Sequence, residues 1–297
     1  MESMFTNCIY LERIYMSNIF DSSKINNVYR MFDNCKSLTS LDLSNFRLSL
    51  INSTSQMFKY CEKLESLDLS KFDTSLVTNM NSMFYKCFSL KYLNIKNFNT
   101  SSLINMGEMF RHCNSLISLD MSKFDTSKVT EMIYLFHNCY SLEFLDISNF
   151  NTSLVTNFKF MFSNCSSLTT LDLSNFRLYL IKTTDKMFNY CEKLESLDLS
   201  KFDTSQVTNM HNMFYKCYAL KYLNIKNFNT SLVEDMSGMF FYCTSLTSLD
   251  LSHFDTSKVT DMFDIFHNCF SLQYLDISNF DTSLITNFKK CFVDVIH

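Results

Sequence analysis

The stretch "LESLDLSKFDTSLVTNMNSMFYKC" runs from Leu64 to Cys87, and a near copy, "LESLDLSKFDTSQVTNMHNMFYKC", runs from Leu194 to Cys217. Leu67 belongs to a ladder of leucines from Leu41 through Leu93 and Leu119 to Leu275, stepped by 26 residues without a slip. The cysteines keep the same step from Cys35 through Cys61 and Cys87 to Cys269. A fixed period of roughly 20 to 50 residues marks a solenoid or an array. One residue breaks step: Ile19 reads as an insertion, because Cys8 to Cys35 is 27 residues.

Each unit changes period along its length. "LDLS" alternates apolar and polar, with Leu67 and Leu69 on one face and Asp68 and Ser70 on the other, which predicts a short half-buried strand. Met80, Met83, Phe84 and Cys87 then fall at i, i+3, i+4 and i+7, which predicts a short helix with one buried stripe. Asn79 and its equivalents are nearly all residues whose side-chain oxygen caps a helix start, so the helix is expected just after them. "FDTS" supplies a turn through side-chain hydrogen bonds. One unit cannot enclose its own apolar surface, but stacked units can. The expected fold is an α/β leucine-rich-repeat-like solenoid. Each 26-residue repeat would carry one strand and one helix, in a single parallel sheet of about 11 rungs.

Residues 41–167 match residues 171–297 at 88 of 127 positions, so the array grew by copying a block of five units. Even the irregular unit was copied: "FRLSL" at Phe46 and "FRLYL" at Phe176 both lack the usual Asp-Thr-Ser. The expected organisation is one solenoid over 1–297. Residues 1–40 are irregular or capping units, 41–170 the first block, and 171–297 the second block with a C-terminal cap. A single active site gains nothing from such copying.

Composition narrows the function further. The chain is 46% hydrophobic and 15% aromatic with a net charge of -4, so it is expected to fold, and no basic tract offers a nucleic-acid stripe. It has no proline and only two glycines, Gly107 and Gly238, which excludes a glycine-rich phosphate loop and leaves the turns to Asn, Asp, Ser and Thr. The N-terminus lacks the basic start and apolar core of a signal peptide, and no stretch approaches the length of a membrane span.

"SLTSLDLSHFDTSKVTDMFDIFHNC", Ser245 to Cys269, resembles the 26-residue repeat of BspA-like leucine-rich-repeat bacterial surface proteins, with the pattern LxxLDLSxFDTSxVTxMxxMFxxC recurring nearly unit for unit. The resemblance implies a non-enzymatic surface or secreted protein, used in adhesion or protein–protein interaction, with a protein or cell-surface ligand as partner. It supplies no catalytic residues. A purely structural spacer and an intracellular, cytoplasmic scaffold are the alternatives.

The cysteines contain no CxxC and recur at one inward position, so they read as reduced, buried thiols rather than disulfides or metal ligands. "HNC" at His137 and His267 suggests a Cys–His pair, but helix neighbours do not face each other and the cysteine recurs without the histidine. No cofactor is expected. The strand face is more informative. Asp120, Asp146, Asp172 and Asp198 should form the longest unrelieved acidic row. Two such charges about 4.8 Å apart repel by roughly 1 kcal/mol even at the dielectric of water. Ser122, Ser148, Ser174 and Ser200 are expected to offset this by hydrogen bonding, with repulsion winning at Asp146 and Asp172 and losing at the ends of the row. Calcium at these four aspartates is the minor alternative. Two positions before the Asp, Tyr92, Phe144, Tyr222 and Tyr274 should point outward as anchors for a partner.

Overall fold

Strands form where the alternation predicts them. The computed structural model describes residues 1–15, 22–46 and 48–295; Ile19, the inserted residue, and Arg47, in the irregular stretch, lie outside the described residues. Among the described residues there are ten strands: β1 (Arg13–Ile14), β2 (Ser40–Leu41), β3 (Ser66–Asp68), β4 (Tyr92–Asn94), β5 (Ser118–Asp120), β6 (Phe144–Asp146), β7 (Ser196–Asp198), β8 (Tyr222–Asn224), β9 (Ser248–Asp250) and β10 (Tyr274–Asp276). The central leucine of a typical strand faces the core, as Leu67 does at 3% exposure, while Ser66 and Asp68 face solvent. The chain divides into two compact units, Met1–Phe150 and Asn151–His297, each a stack of parallel turns.

The strands do not make one continuous sheet. They pair in twos: β1 with β2, β3 with β4, β5 with β6, β7 with β8, and β9 with β10, all parallel. The irregular unit at Leu171 contributes no strand. The cause lies in an alternation of turn residues. Lys71, Lys123, Lys201 and His253 follow β3, β5, β7 and β9, whereas Asn97, Asn149, Asn227 and Asn279 follow their partners. Each of those asparagines donates its side-chain amide back to the carbonyl of Ser70, Ser122, Ser200 or Ser252 at 2.5–2.9 Å. Lysine offers no equivalent amide to the turn before it, so this amide bond falls within a couple; across the junction before β9, His253 Nε2 instead lies 3.1 Å from the Ile225 carbonyl.

The segment expected to be helical is a run of turns, and no helix occurs among the described residues. After Asn79 the backbone amides alternate in what they bond. Met80, Ser82, Phe84 and Lys86 donate to Asn105, Gly107, Met109 and Arg111 of the next turn at 2.8–3.0 Å. Met83, Tyr85 and Cys87 donate three residues back, to Met80, Ser82 and Phe84, at 3.1–3.2 Å. Ser82 and Lys86 take the left-handed conformation, with φ of 54° and 59°. A helix of this length is marginal by itself, because nucleation fixes several dihedrals for one bond. Bonding alternate amides to a neighbour removes that cost. The i, i+3, i+4, i+7 stripe is still buried, since Met80, Met83, Phe84 and Cys87 are all 0% exposed. Successive tight turns return side chains inward at nearly the helical spacing, so the periodicity alone could not separate the two structures.

The corners use side chains as acceptors. Asn79 Oδ1 accepts from Asn81 N at 2.9 Å, the bond expected of a helix cap, here closing an Asx turn. Asp68 accepts from Ser70 N at 2.8 Å and Asp73 from Ser75 N at 3.0 Å. Three such corners per unit replace glycine and proline. Inside, Phe5, Phe32, Phe58, Phe84, Phe110 and Phe136 stack with ring centroids 5.3–5.7 Å apart in the first unit, and Phe162 to Phe292 stack at 5.5–5.8 Å in the second. On the strand side a second ladder brings rings together across the junctions between couples, at 6.3 Å for Phe98–Phe124 and 6.5 Å for Phe228–Phe254.

All twelve cysteines are free thiols. Cys87 Sγ donates to the Phe58 carbonyl at 3.1 Å, and Cys113 to Phe84 at 3.2 Å, so the thiols also tie each turn to the one before. Burial pushes the Cys139 and Cys217 thiols up to about 12, which leaves them protonated and unreactive at neutral pH. The buried Thr74 hydroxyl donates to Asn99 O at 2.9 Å, and Thr204 to Asn229 O at 2.8 Å. In the irregular units Leu48 and Leu178 fill this place, and the buried hydroxyls of Thr54 and Thr184 find no hydrogen-bond partner.

Two stability measurements check this account. Phe84→Ala should cost about 3–5 kcal/mol, against about 1 kcal/mol for the smaller cavity of Cys87→Ala; equal losses would show that the ring stack is not the main support. Gln56 sits at φ 57° without glycine's freedom. Gln56→Gly should therefore stabilise by about 0.5–1 kcal/mol, the relief of left-handed strain exceeding the added chain entropy. Gly238→Ala should destabilise, since a Cβ there collides with the Asn212 side chain. Thermal melting of the four variants reads both effects.

Candidate functional site

The strand face is built from the couples. In β3 and β4, Ser66 faces Tyr92 and Asp68 faces Asn94; in β5 and β6, Ser118 faces Phe144 and Asp120 faces Asp146. In the second unit Ser196 faces Tyr222 and Asp198 faces Asn224, and Ser248 faces Tyr274 and Asp250 faces Asp276. Tyr92 is 64% exposed, Phe144 56%, Tyr222 57% and Tyr274 54%. Each of these four couples thus presents one large aromatic side chain beside a serine and a pair of Asp or Asn residues. Tyr222 and Asn224 line a cleft with Ser248, Asp250 and His253, and the corresponding residues Tyr92 and Asn94 line another with Ser66, Asp68 and Ser118.

The four aspartates of the acidic row divide between the two units. Asp120 and Asp146 are register partners in the first unit, while Asp172 and Asp198 belong to the second and line a shallow cleft with Ser174 and Ser200. Every one of these carboxylates closes its own corner. Ser122 N donates to Asp120 at 2.9 Å, Ser174 N to Asp172 at 2.9 Å and Ser200 N to Asp198 at 2.8 Å. Asp146 takes both the N–H and the hydroxyl of Ser148, at 3.0 and 2.7 Å. The Ser122 donors hold Asp120 below the usual carboxylate range, with Lys123 adding a smaller effect, and the Ser200 donors do the same for Asp198, with help from Lys226.

The couple of β9 and β10 weighs hydrogen bonding against repulsion directly. Asp250 and Asp276 face each other, yet both carboxyls lie below the usual range. The Ser252 hydroxyl and amide lower Asp250 by more than the Asp276 charge raises it. In this couple, then, repulsion loses to the serine donors. Among the described residues, no three His, Cys, Asp or Glu side chains gather as metal ligands.

A second surface, on the turns, was not anticipated from the sequence. Tyr60 and Tyr85 meet edge-on at 5.4 Å, and Lys59 and Lys86 place their ammonium groups 5.0–5.5 Å from both ring centroids. Arg111 lies 4.2 Å over Tyr134 and pairs with Glu108 at 2.9 Å. His112 contacts Tyr85 and His137 edge-on, and Asn138 Nδ2 lies 3.1 Å from its Nδ1. Burial first, then Arg111 and Lys86, lower its pKa to about 4. Neither histidine of the two "HNC" motifs engages its cysteine. His137 packs on Tyr134, and His267 Nδ1 pairs with Asp264 Oδ1 at 2.8 Å. The signal for this cluster was the pairing of Tyr and Lys at the two turn positions before Cys61, Cys87 and Cys217, which a helical reading scattered around an exposed face.

Stacked parallel turns with a leucine at the centre or end of nine of the ten described strands define a leucine-rich-repeat solenoid. The chain is similar to a leucine-rich repeat protein from Bacteroides ovatus (19% identity, 96% of this chain and 76% of that one, TM-score 0.52). It is also similar to a leucine rich cell surface protein from Faecalibacterium prausnitzii (18% identity, 99% and 73%, TM-score 0.53). The family described as "Mycoplasma protein of unknown function, DUF285" matches residues 1–117, 104–222 and 182–296, and the chain belongs to it. It is a BspA-like leucine-rich-repeat protein. Comparison with the curated proteins gives no significant match. No helix among the described residues is long and apolar enough to cross a membrane.

These shifts fix the sign of the pH dependence. His112, Asp120, Asp198, Asp250 and Asp276 bind protons less readily in the folded chain than in the unfolded one. Their contribution is present above the ordinary value of each group and is lost as pH falls through it. Stability should therefore fall in two stages: one from about pH 6.5 down to about 4 through His112, and one below about pH 4 through the aspartates. His112→Asn should remove the first stage and keep the second, because Asn138 and Asn164 already occupy the equivalent left-handed position. Melting temperatures from pH 7.5 to 3 on both proteins check this; a His112→Asn profile identical to wild type would refute the first stage.

Proposed function

We propose that the chain is a non-enzymatic interaction scaffold that presents its strand face to a protein or cell-surface ligand. The observation that carries this reading is the exposure of one aromatic side chain per couple, Tyr92 and Phe144 in the first unit and Tyr222 and Tyr274 in the second. A soluble fold gains nothing by leaving such rings half or more exposed, and rigid aromatics flanked by polar groups are the usual anchors of protein interfaces. The neighbouring aspartates, Asp120 and Asp146 in one unit and Asp172 and Asp198 in the other, serve as an acidic rim that selects basic partners. The adhesive, surface-exposed role follows from the company of the Faecalibacterium cell surface protein and is part of this proposal. A spacer role, favoured by the copied five-unit block, is the second reading.

Changing Tyr92, Phe144, Tyr222 and Tyr274 together to Ser separates the two. The scaffold reading expects loss of binding to the host-cell or protein ligand bound by wild type, with the melting temperature moved by no more than a few degrees. Unchanged binding by the quadruple variant would leave the spacer reading in place.

A further inference from the structure

The turn face of the first unit carries a feature that its copied counterpart lacks. Lys59 and Lys86 lie over the same two rings, Tyr60 and Tyr85, with all four ammonium-to-centroid distances between 5.0 and 5.5 Å. All four side chains are half-buried, which shelters the charges without closing them off. The nearby acids are engaged elsewhere: Asp33 with Arg30, Glu62 with Lys36 and Glu108 with Arg111. Among the described residues neither ammonium has a carboxylate within ion-pair distance. In the second unit the equivalent residues are Asn189, Tyr190, Tyr215 and Lys216. There one lysine is gone, and the other donates to Tyr190 Oη at 3.1 Å.

We propose that Lys59 and Lys86 form a binding site for a phosphate or sulfate ester carried on a sugar. Two ammonium groups drawn to the same pair of rings carry like charge and repel each other. The ring faces offset only part of that repulsion, and an oxyanion between them removes it. The site is local, since the chain is net negative at -4 and has no basic tract to follow a polyanion. That composition selects a single ester group over a nucleic acid backbone. Tyr60 and Tyr85 add hydroxyls and ring edges at the rim, where the sugar bearing the ester would rest. This site lies on the turns and is independent of the strand-face interaction.

Calorimetric titration at low salt with glucose 6-phosphate, glucose 6-sulfate, glucose and inorganic phosphate tests the proposal on the full chain. Both esters should bind at one site per chain, more weakly as salt is raised, and glucose should not bind. Inorganic phosphate should bind more weakly than the phosphate ester; equal affinity would overturn the sugar-ester assignment. Lys59→Asn, which installs the residue the second unit already accommodates, should weaken ester binding tenfold or more, and Lys86→Gln should do the same. Asn189→Lys rebuilds the lysine pair in the second unit and should raise the stoichiometry from one to two. Absence of ester binding by wild type, Lys59→Asn binding as wild type does, or a stoichiometry that stays at one in Asn189→Lys would each overturn it. Unchanged melting temperatures would show that the variants are folded.

Discussion

The structure depends on where the amides of the turn segment go. In each turn four alternate N–H groups, such as those of Met80, Ser82, Phe84 and Lys86, can be satisfied only by carbonyls of the next turn. A buried amide left without a partner is costly, so no turn is complete until another lies on it. The phenylalanine stack, the thiol-to-carbonyl bonds and the threonine hydroxyls all run in the same inter-turn direction. Stability is thereby concentrated between neighbours, which is why a block of five units could be copied without rebuilding the rest.

A chain nearly free of glycine and without proline must still turn several corners per unit. It does so with short polar side chains that accept a hydrogen bond two residues on, as Asp68, Asp73 and Asn79 do. The left-handed positions are filled by Ser, Asn, Lys, Tyr and His and also by Arg30, Gln56, Glu108, Phe160, Asp264 and Asp294, with Gly238 the sole glycine among the described positive-φ residues. The strain at these residues is sustained by the inter-turn bonds on either side. The same economy governs the aspartate row: carboxylates that would repel are each occupied by a serine donor, so a structural need sets the electrostatics of the exposed face.

Much of this was legible in the sequence. The period, the parallel stacking, the inward leucines, the buried Met80, Met83, Phe84 and Cys87 stripe and the acceptor role of Asn79 all follow from residue type and spacing. The helix did not form because its spacing is shared by consecutive tight turns, and only the destination of the amides tells them apart. The continuous sheet failed on a finer detail, the exchange of Lys71 for Asn97 at one corner. The outward direction of Tyr92 follows from strand alternation. The cluster around Tyr60 and Tyr85 was hidden because residues judged independent on a helix surface are brought together across turns.

The pairing of strands gives the array a parity. A lysine-type unit is followed by an asparagine-type unit, and the amide bond from Asn97 to Ser70 exists only in that order. Losing or gaining one unit within a run of couples would set two units of one type side by side and break the sequence of bonds from that point on. The copied block nevertheless contains five units, an odd number. The fifth is the irregular unit at Phe46 and again at Phe176, which stands ahead of two complete couples in each copy. In the first copy its strand β2 pairs with β1, whereas in the second copy it contributes no strand. Arrays of this kind should therefore vary in length by whole couples, or by whole runs headed by an irregular unit, rather than by single repeats.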